Sequence, residues 1–140
     1  MAFTLSTALR NNTLETGIAS EYNSQILEGR SGSRPAAADT APTGTVIFSI
    51  TLPADAFATA ASGAIAKAGT WQDTSADATG TLSWFRIRKT GDLGTTNTTD
   101  SRLDNDIALS GSNLLIMDSL SVTAGQVVTI NTFTITMPTG

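Results

Sequence analysis

The chain has 140 residues, a formal net charge of −4, only 14% charged residues, and neither cysteine nor histidine. This length fits a single domain over residues 1–140, and the missing residue types exclude thiolate and imidazole metal sites and every histidine-dependent catalytic triad. The acidic balance argues against nucleic acid as the main partner, because proteins that bind phosphate backbones carry a basic face.

The first predicted element is a short helix over residues 6–22. Leu14, Ile18 and Tyr22 recur at a spacing of four residues, which is typical of one apolar helix face. Ser6 or Thr7 is a suitable N-cap. After the helix, SQILEGR indicates a short strand, and SGSRPAAADTAPTG indicates a loop because it is rich in small residues and proline.

The stretch TVIFSITLP gives the clearest strand signal. Its apolar residues alternate with polar ones until Pro53 removes a donor from the ladder. The next stretch, ADAFATAASGAIAKAG, is ambiguous, since its alanines favour a helix whereas Gly63 and Gly69 interrupt one. We predict a short strand here that ends near Trp71.

The stretch GTLSWFRIRKTGD, residues 80–92, is predicted to be a strand with two different faces. Phe85 and Ile87 point into the core, and the opposite face carries Trp84, Arg86 and Arg88. Three of the eight basic residues lie within four positions. The favoured interpretation pairs the two arginines with acidic residues of the same chain, namely Asp92, Asp104 or Asp106. The alternative places them against an acidic partner subunit.

The C-terminal third is predicted to contain a long polar loop and a hairpin. The loop is GDLGTTNTTDSRLDND, and the hairpin joins NLLIMDSLSV to VVTINTFTITM through TAGQ. In the last stretch the apolar positions change phase at Asn131 and Thr132, which predicts a bulge or a strand that passes between sheets. These elements together predict a mainly β fold, an antiparallel β-sandwich or jelly-roll-like domain with a short N-terminal helix.

Paired acidic residues are the only candidates for enzymatic chemistry. Asp73 with Asp77, or Asp104 with Asp106, could supply an acid and a base or bind calcium. Aspartates in such stretches are more often turn residues that accept backbone hydrogen bonds. We therefore expect no enzymatic activity, no cofactor and no metal.

Several stretches in order resemble a family of short structural proteins in the particles of tailed bacteriophages and prophages. They are LSTALRNN, TGTVIFSITLPADAF, GTWQDTSADATGTLSWFRI and TAGQVVTINTFTITMP, and together they cover most of the chain. The resemblance implies a virion component without enzymatic activity. Its first expectation is a capsid decoration or cement protein on the capsid surface, made in the cytoplasm of the bacterial host. A tail, neck or baseplate component is the alternative.

The resemblance also implies partners: the major capsid protein and further copies of the same chain as a homotrimer. The acidic charge balance argues against nucleic acid as a partner, and no stretch is apolar enough to cross a membrane, so we expect neither. Candidate interface residues are taken from the helix and from the basic strand, namely Leu14, Ile18, Tyr22, Trp84, Arg86 and Arg88. The helix and the chain ends are expected to dock. A third interpretation is a carbohydrate-binding host-attachment module in which Trp71, Trp84 and Tyr22 stack on sugars.

Overall fold

The computed structural model describes residues 4–111 and 114–139 as a mainly β chain with a helical segment near its N-terminus. The predicted fold class is therefore confirmed. Residues 1–3 and 140, which belong to the chain ends expected to dock, lie outside the described residues.

The N-terminal helix covers residues 7–22 and changes geometry along its length. It is α-helical over Thr7–Thr13, π-helical over Leu14–Ala19 and α-helical again over Ser20–Tyr22. Ser6 is the N-cap, and its hydroxyl accepts a hydrogen bond from the Leu9 backbone N–H at 3.2 Å. The predicted helix and one of its two candidate caps are thus confirmed.

Eleven strands lie within the described residues. They are β1 Ile26–Arg30, β2 Val46–Thr51, β3 Ala64–Ala66, β4 Trp71–Asp73, β5 Gly80–Thr81, β6 Trp84–Arg88, β7 Leu103–Ala108, β8 Leu115–Ile116, β9 Ser121–Val122, β10 Val128–Ile130 and β11 Thr132–Thr136. Seven of them form one sheet in the order β2-β1-β6-β7-β8-β11-β3, antiparallel except between β7 and β8. The pairs β4–β10 and β5–β9 form two small ribbons.

The pairing of the later strands is nested. β5 pairs with β9, β4 with β10 and β3 with β11, so the segment 64–81 runs against the segment 121–136. Buried residues of the ribbons, such as Trp71 and Ile130, join the same core as Phe85 and Ile87 on one face of the large sheet. The result is a sandwich-like arrangement whose core contains edge-on aromatic contacts of Phe133 with Phe57 and Phe85.

Three predicted strands are each split into two, and one of them, NLLIMDSLSV, contains β8 and β9. The strand predicted to end near Trp71 is β3 followed by β4, with a turn at Gly69, where φ is +69°. The strand predicted over residues 80–92 is β5 followed by β6 and ends at Arg88. The break falls at Leu82 and Ser83, whose backbone N–H groups bond to Leu120 and Arg30 rather than to one continuous neighbour.

The predicted hairpin is wrong, although its turn is present. Gln126 N–H donates to the Thr123 carbonyl at 3.0 Å, and Gly125 has a φ of +85°. The flanking strands β9 and β10 pair with β5 and β4 instead of with each other. Asn113, the first residue of the predicted hairpin, lies outside the described residues.

The change of phase in the apolar pattern at Asn131 marks a passage between sheets, which was one of its two predicted explanations. Val128–Ile130 belongs to a ribbon, and Thr132–Thr136 belongs to the large sheet, so the chain passes from one sheet to the other at this residue. The predicted polar loop is shorter than expected, because Leu103–Ala108 forms β7 beside β6. Asp104 and Asp106 are consequently strand residues, not loop residues.

Candidate functional site

The face of the large sheet that points away from the core carries a group of charged side chains. We call it the arginine face and define it by Glu28 and Arg30 of β1, Trp84, Arg86 and Arg88 of β6, and Asp104 of β7. Strand alternation places these residues opposite the core residues Leu27, Phe85 and Ile87. The loops 31–45 and 89–102 hydrogen-bond to this face.

Arg86 lies at the centre of the arginine face. The register places it directly between Glu28 and Asp104. Its Nε and Nη2 atoms donate to the two carboxylate oxygens of Asp104, both at 2.7 Å. Nη2 also donates to the carbonyls of Ala38 and Thr40. The bonds to Ala38 and Thr40 fix loop 31–45 to the sheet. The bidentate pair with Asp104 holds the guanidinium in place, in a site with little water because the Arg86 side chain is only 1% exposed.

Trp84 is buried between two guanidinium groups. The Cζ atoms of Arg30 and Arg86 lie 5.8 Å and 5.5 Å from the centre of its ring. Its indole N–H donates to the Ser31 carbonyl at 3.2 Å. The ring therefore combines cation–π attraction with a hydrogen bond that holds the start of loop 31–45.

Glu28 accepts from two arginines at once. Its Oε1 bonds to Arg88 Nε at 2.6 Å, and its Oε2 bonds to Arg30 Nη2 at 2.9 Å. The register places Glu28 opposite Arg86, but the guanidinium of Arg86 donates its hydrogen bonds to Asp104 instead. One carboxylate thus serves the arginines on either side of Arg86.

A second buried pair fixes loop 89–102. Arg102 donates to the two oxygens of Asp92 at 2.6 Å and 2.7 Å, and it also reaches carbonyls of loop 31–45. This hydrogen-bonded guanidinium, with the Gly94 backbone N–H, lowers the pKa of the Asp92 carboxyl. Both side chains are almost fully buried, so the pair joins the two loops to each other.

A cavity of about 140 Å³ opens between the arginine face and loop 89–102. Its lining is Glu28, Arg30, Pro42, Arg86, Arg88, Asp92, Leu93 and Gly94. Leu93 is 90% exposed. Arg86 Nη1 is buried and has no hydrogen-bond partner among the described residues. The cavity is therefore lined by charged side chains and by one exposed apolar side chain, Leu93.

The structure brings together three of the predicted interface residues and separates the others from them. Trp84, Arg86 and Arg88 lie side by side on the arginine face, and Arg86 pairs with Asp104, which was one of its predicted partners. Arg88 pairs instead with Glu28. Loops 31–45 and 89–102 hydrogen-bond to these three residues, the first loop to Trp84 and Arg86 and the second to Arg88.

The helix residues lie elsewhere. Leu14 packs with Ala60 and Ile65 in a small separate cluster, and Tyr22 belongs to the main core. Leu14, Tyr22, Trp84 and Arg86 are all buried within the chain, so none of them offers surface to a partner in this structure. Of the six predicted interface residues, only Ile18 and Arg88 are half-buried, so only these two have surface that a partner can contact.

The residues predicted for sugar stacking do not form a stacking surface. Trp71, Trp84 and Tyr22 are 0%, 0% and 4% exposed. Trp71 donates its indole N–H to the carbonyls of Ala56 and Ala68 inside the core. A sugar would find no open ring face on any of the three.

Three of the four aspartates of the predicted acidic pairs have structural roles, and the fourth, Asp77, is exposed. Asp73 accepts from the backbone N–H groups of Ser49 and Ser75, while Asp104 and Asp106 pair with Arg86 and Arg34. Among the residues that the structure describes, no three of the types Asp, Glu, His and Cys are grouped so as to hold a metal ion. Within the same residues, no helix has the length and apolar character to cross a bilayer.

The sequence prediction missed Glu28, Arg30 and the Asp92–Arg102 pair. A signal was present for the first two, since alternation along SQILEGR puts Glu28 and Arg30 on one face. No local signal could align that face with β6, because Arg30 at the end of β1 and Trp84 at the start of β6 are 54 positions apart in the sequence.

Comparisons of the chain with protein-family models, with curated protein sequences and with solved structures found no match.

Proposed function

We propose that the protein is a structural, non-enzymatic component of a tailed-bacteriophage virion, and that it decorates and stabilises the capsid by bridging major capsid subunits. One observation carries this proposal: the ordered resemblance of four stretches, which together cover most of the chain, to a family of short virion proteins. The proposed location is the outer surface of the capsid, after synthesis in the host cytoplasm.

The arrangement of the arginine face is consistent with such a role. Loop 31–45 accepts hydrogen bonds from Arg86 of the sheet and from Arg102 of loop 89–102, and each arginine is held by a bidentate aspartate in a pair nearly inaccessible to water. A surface that is already ordered loses little conformational entropy when it docks, so the same contact can be repeated many times on a lattice. A homotrimer would match the local three-fold positions of an icosahedral shell.

The proposal is tested by adding the purified protein to capsids and, separately, to tails from particles that lack it. We expect saturation at on the order of hundreds of copies per capsid, as a lattice of repeated sites requires. Co-sedimentation with quantitative gel densitometry measures the copies. A few copies on tails or necks and none on capsids would overturn the decoration role and favour a tail, neck or baseplate component.

A further inference from the structure

The ion pairs of the arginine face and its covering loop do not balance in charge. Arg30 and Arg88 share the single carboxylate of Glu28, whereas Arg86 and Arg102 each hold one aspartate. In these direct ion pairs, four guanidinium groups thus share three carboxylates, one negative charge fewer than positive. These side chains are at most 20% exposed. A buried charge without a counter-charge is unfavourable, so this site favours a negatively charged occupant.

The cavity is where that surplus is accessible. Its charged lining is three arginines, Glu28 and Asp92, and the oxygens of Asp92 already accept from Arg102 and from the Gly94 N–H. The hydrogen bond with Asp92 is the main cause that raises the pKa of Arg102, and Asp100, a smaller cause, does not line the cavity. Guanidinium groups are donors only. The arginine side chains of the walls therefore offer more N–H donors than the two carboxylates offer free acceptors.

We propose that this cavity binds a carboxylate group, and that in the assembled particle the group is an acidic side chain of the protein partner. The second part rests on the proposed function. A carboxylate carries one negative charge, which matches the surplus, and its two oxygens match a guanidinium fork. The volume of about 140 Å³ has room for such a group, because one water needs only roughly 10–15 Å³ by the same kind of measure.

Leu93 is the reason to assign the carboxylate to a protein. It lines the cavity but is 90% exposed, and the turn that carries it is fixed on both sides by the buried Asp92 and by the hydrogen bond from the Gly94 N–H. A free acid would leave this leucine in water. An acidic residue with an apolar neighbour would fill the cavity and cover Leu93 in one contact.

The two tryptophans provide a direct readout. Trp84 lies against Arg30 and Arg86, whereas Trp71 lies in the core. In a titration of the full chain followed by ¹H–¹⁵N NMR, we expect sodium acetate to shift the Trp84 indole resonance in a saturable way and to leave Trp71 in place. Sodium chloride at the same ionic strength is the reference. An equal response to chloride, or no saturable response to acetate, would overturn the proposal.

Variants separate the cavity from general surface charge. Arg88→Gln removes the surplus charge with little change in side-chain size, and we expect it to abolish the saturable shift. Arg34→Gln is the matched control, because Arg34 pairs with Asp106 and does not line the cavity. An unchanged Trp71 resonance shows that each variant is folded. Retention of acetate binding by a folded Arg88→Gln protein would contradict the assignment.

The source of the carboxylate is tested with the peptides acetyl-Leu-Asp-Leu-amide and acetyl-Leu-Asn-Leu-amide. We expect the Asp peptide to bind about tenfold more tightly than acetate, a difference of about 1.4 kcal/mol, and the Asn peptide not to bind. Leu93→Ser should return the Asp peptide to the affinity of acetate. Equal binding of acetate and peptide by the unaltered chain would overturn the protein source and assign the site to free carboxylic acids.

Co-sedimentation then distinguishes this inference from the proposed function. If the unaltered chain saturates capsids and both Arg88→Gln and Leu93→Ser reduce the bound copies, both stand. If the variants bind as well as the unaltered chain, the partner contact at the cavity is rejected and the decoration role remains. If the unaltered chain binds no capsids while acetate still binds the cavity, the decoration role is rejected alone.

Discussion

Arg86 combines a permanent charge with a side chain that is only 1% exposed. Its neighbours on the same strand, Phe85 and Ile87, belong to the hydrophobic core, so β6 is buried on both faces for different reasons. Burial of an ion pair is stabilising only where its remaining polar atoms find partners. Here Asp104 and two loop carbonyls supply most of them, and the pair fixes the position of a loop.

Removal of one member of this pair is expected to be more harmful than removal of both. Arg86→Met leaves Asp104 buried without its partner and should lower the free energy of unfolding by about 3–5 kcal/mol. The double variant Arg86→Met/Asp104→Leu should recover at least about 1 kcal/mol of that loss. Urea unfolding at neutral pH measures both. The exposed pair gives the control, since Arg34→Met should change stability by no more than about 1 kcal/mol; a similar small effect of Arg86→Met would contradict the prediction.

The Asp92–Arg102 pair predicts a particular dependence of stability on pH. Hydrogen bonding to Arg102 holds the pKa of Asp92 below its usual value of 3.8. The unfolded chain therefore takes up this proton at higher pH than the folded chain does. The stabilisation is fully present above about pH 4 and is lost as the pH falls through the lowered pKa.

Asp92→Asn isolates this contribution, because asparagine does not titrate. We expect the difference in unfolding free energy between the unaltered chain and Asp92→Asn to be largest at neutral pH and to shrink below about pH 4. Urea unfolding over a series of pH values measures it. Asp55→Asn, at an exposed turn residue, serves as the reference; a difference that stays constant with pH would show that the Asp92 carboxyl is not the titrating group.

At the scale of elements, two glycines differ in the space around them: Gly29 is closely packed and Gly17 is not. Gly29 of β1 faces Phe48 on one side and Phe85 on the other, and a Cβ atom there would lie 2.2 Å from the Phe48 ring. Gly17 lies in the π-helical turn, and a Cβ atom there would meet nothing within 4 Å. The first glycine makes room for an aromatic side chain, whereas the second only lowers helix propensity.

The same substitution should therefore have opposite effects. Gly29→Ala forces the ring or the strand to move and should destabilise the chain by about 1–3 kcal/mol. Gly17→Ala should stabilise it by up to about 1 kcal/mol. Thermal unfolding monitored by circular dichroism compares them directly. A shift of both midpoints in the same direction would show that contact at Phe48 does not decide the effect of Gly29.

Sequence patterns correctly predicted those helices, strands and turns whose formation depends on residues close together in the sequence. Ser6 caps the helix, TVIFSITLP forms a strand, and the phase change at Asn131 marks the passage between sheets. The hairpin prediction failed because a turn fixes only its own hydrogen bond, while the flanking strands take partners from residues 71–81. The break at Leu82 has the same origin, since β5 and β6 pair in different sheets.

At the scale of the whole molecule, the sequence predicted the class of fold but only part of the candidate site. The pairing of Arg86 with Asp104 was among the alternatives, because both residue types were visible and one was placed on a strand. The sharing of Glu28 by two arginines and the burial of Asp92 depend on how β1, β6 and the two loops come together. Such long-range register is not encoded in any one stretch of sequence.

The nested pairing of β3, β4 and β5 with β11, β10 and β9 affects how the chain can fold while the ribosome synthesises it. Ile65 pairs with Ile135, and Trp71 pairs with Ile130. Strands β3, β4 and β5 therefore have no partner strands until the ribosome has made residues 121–136. Closure from the inner pair outward shortens each remaining loop and is the favoured order. A nascent chain halted before residue 128 would thus expose the surface around Trp71, and it would depend on chaperones until synthesis is finished.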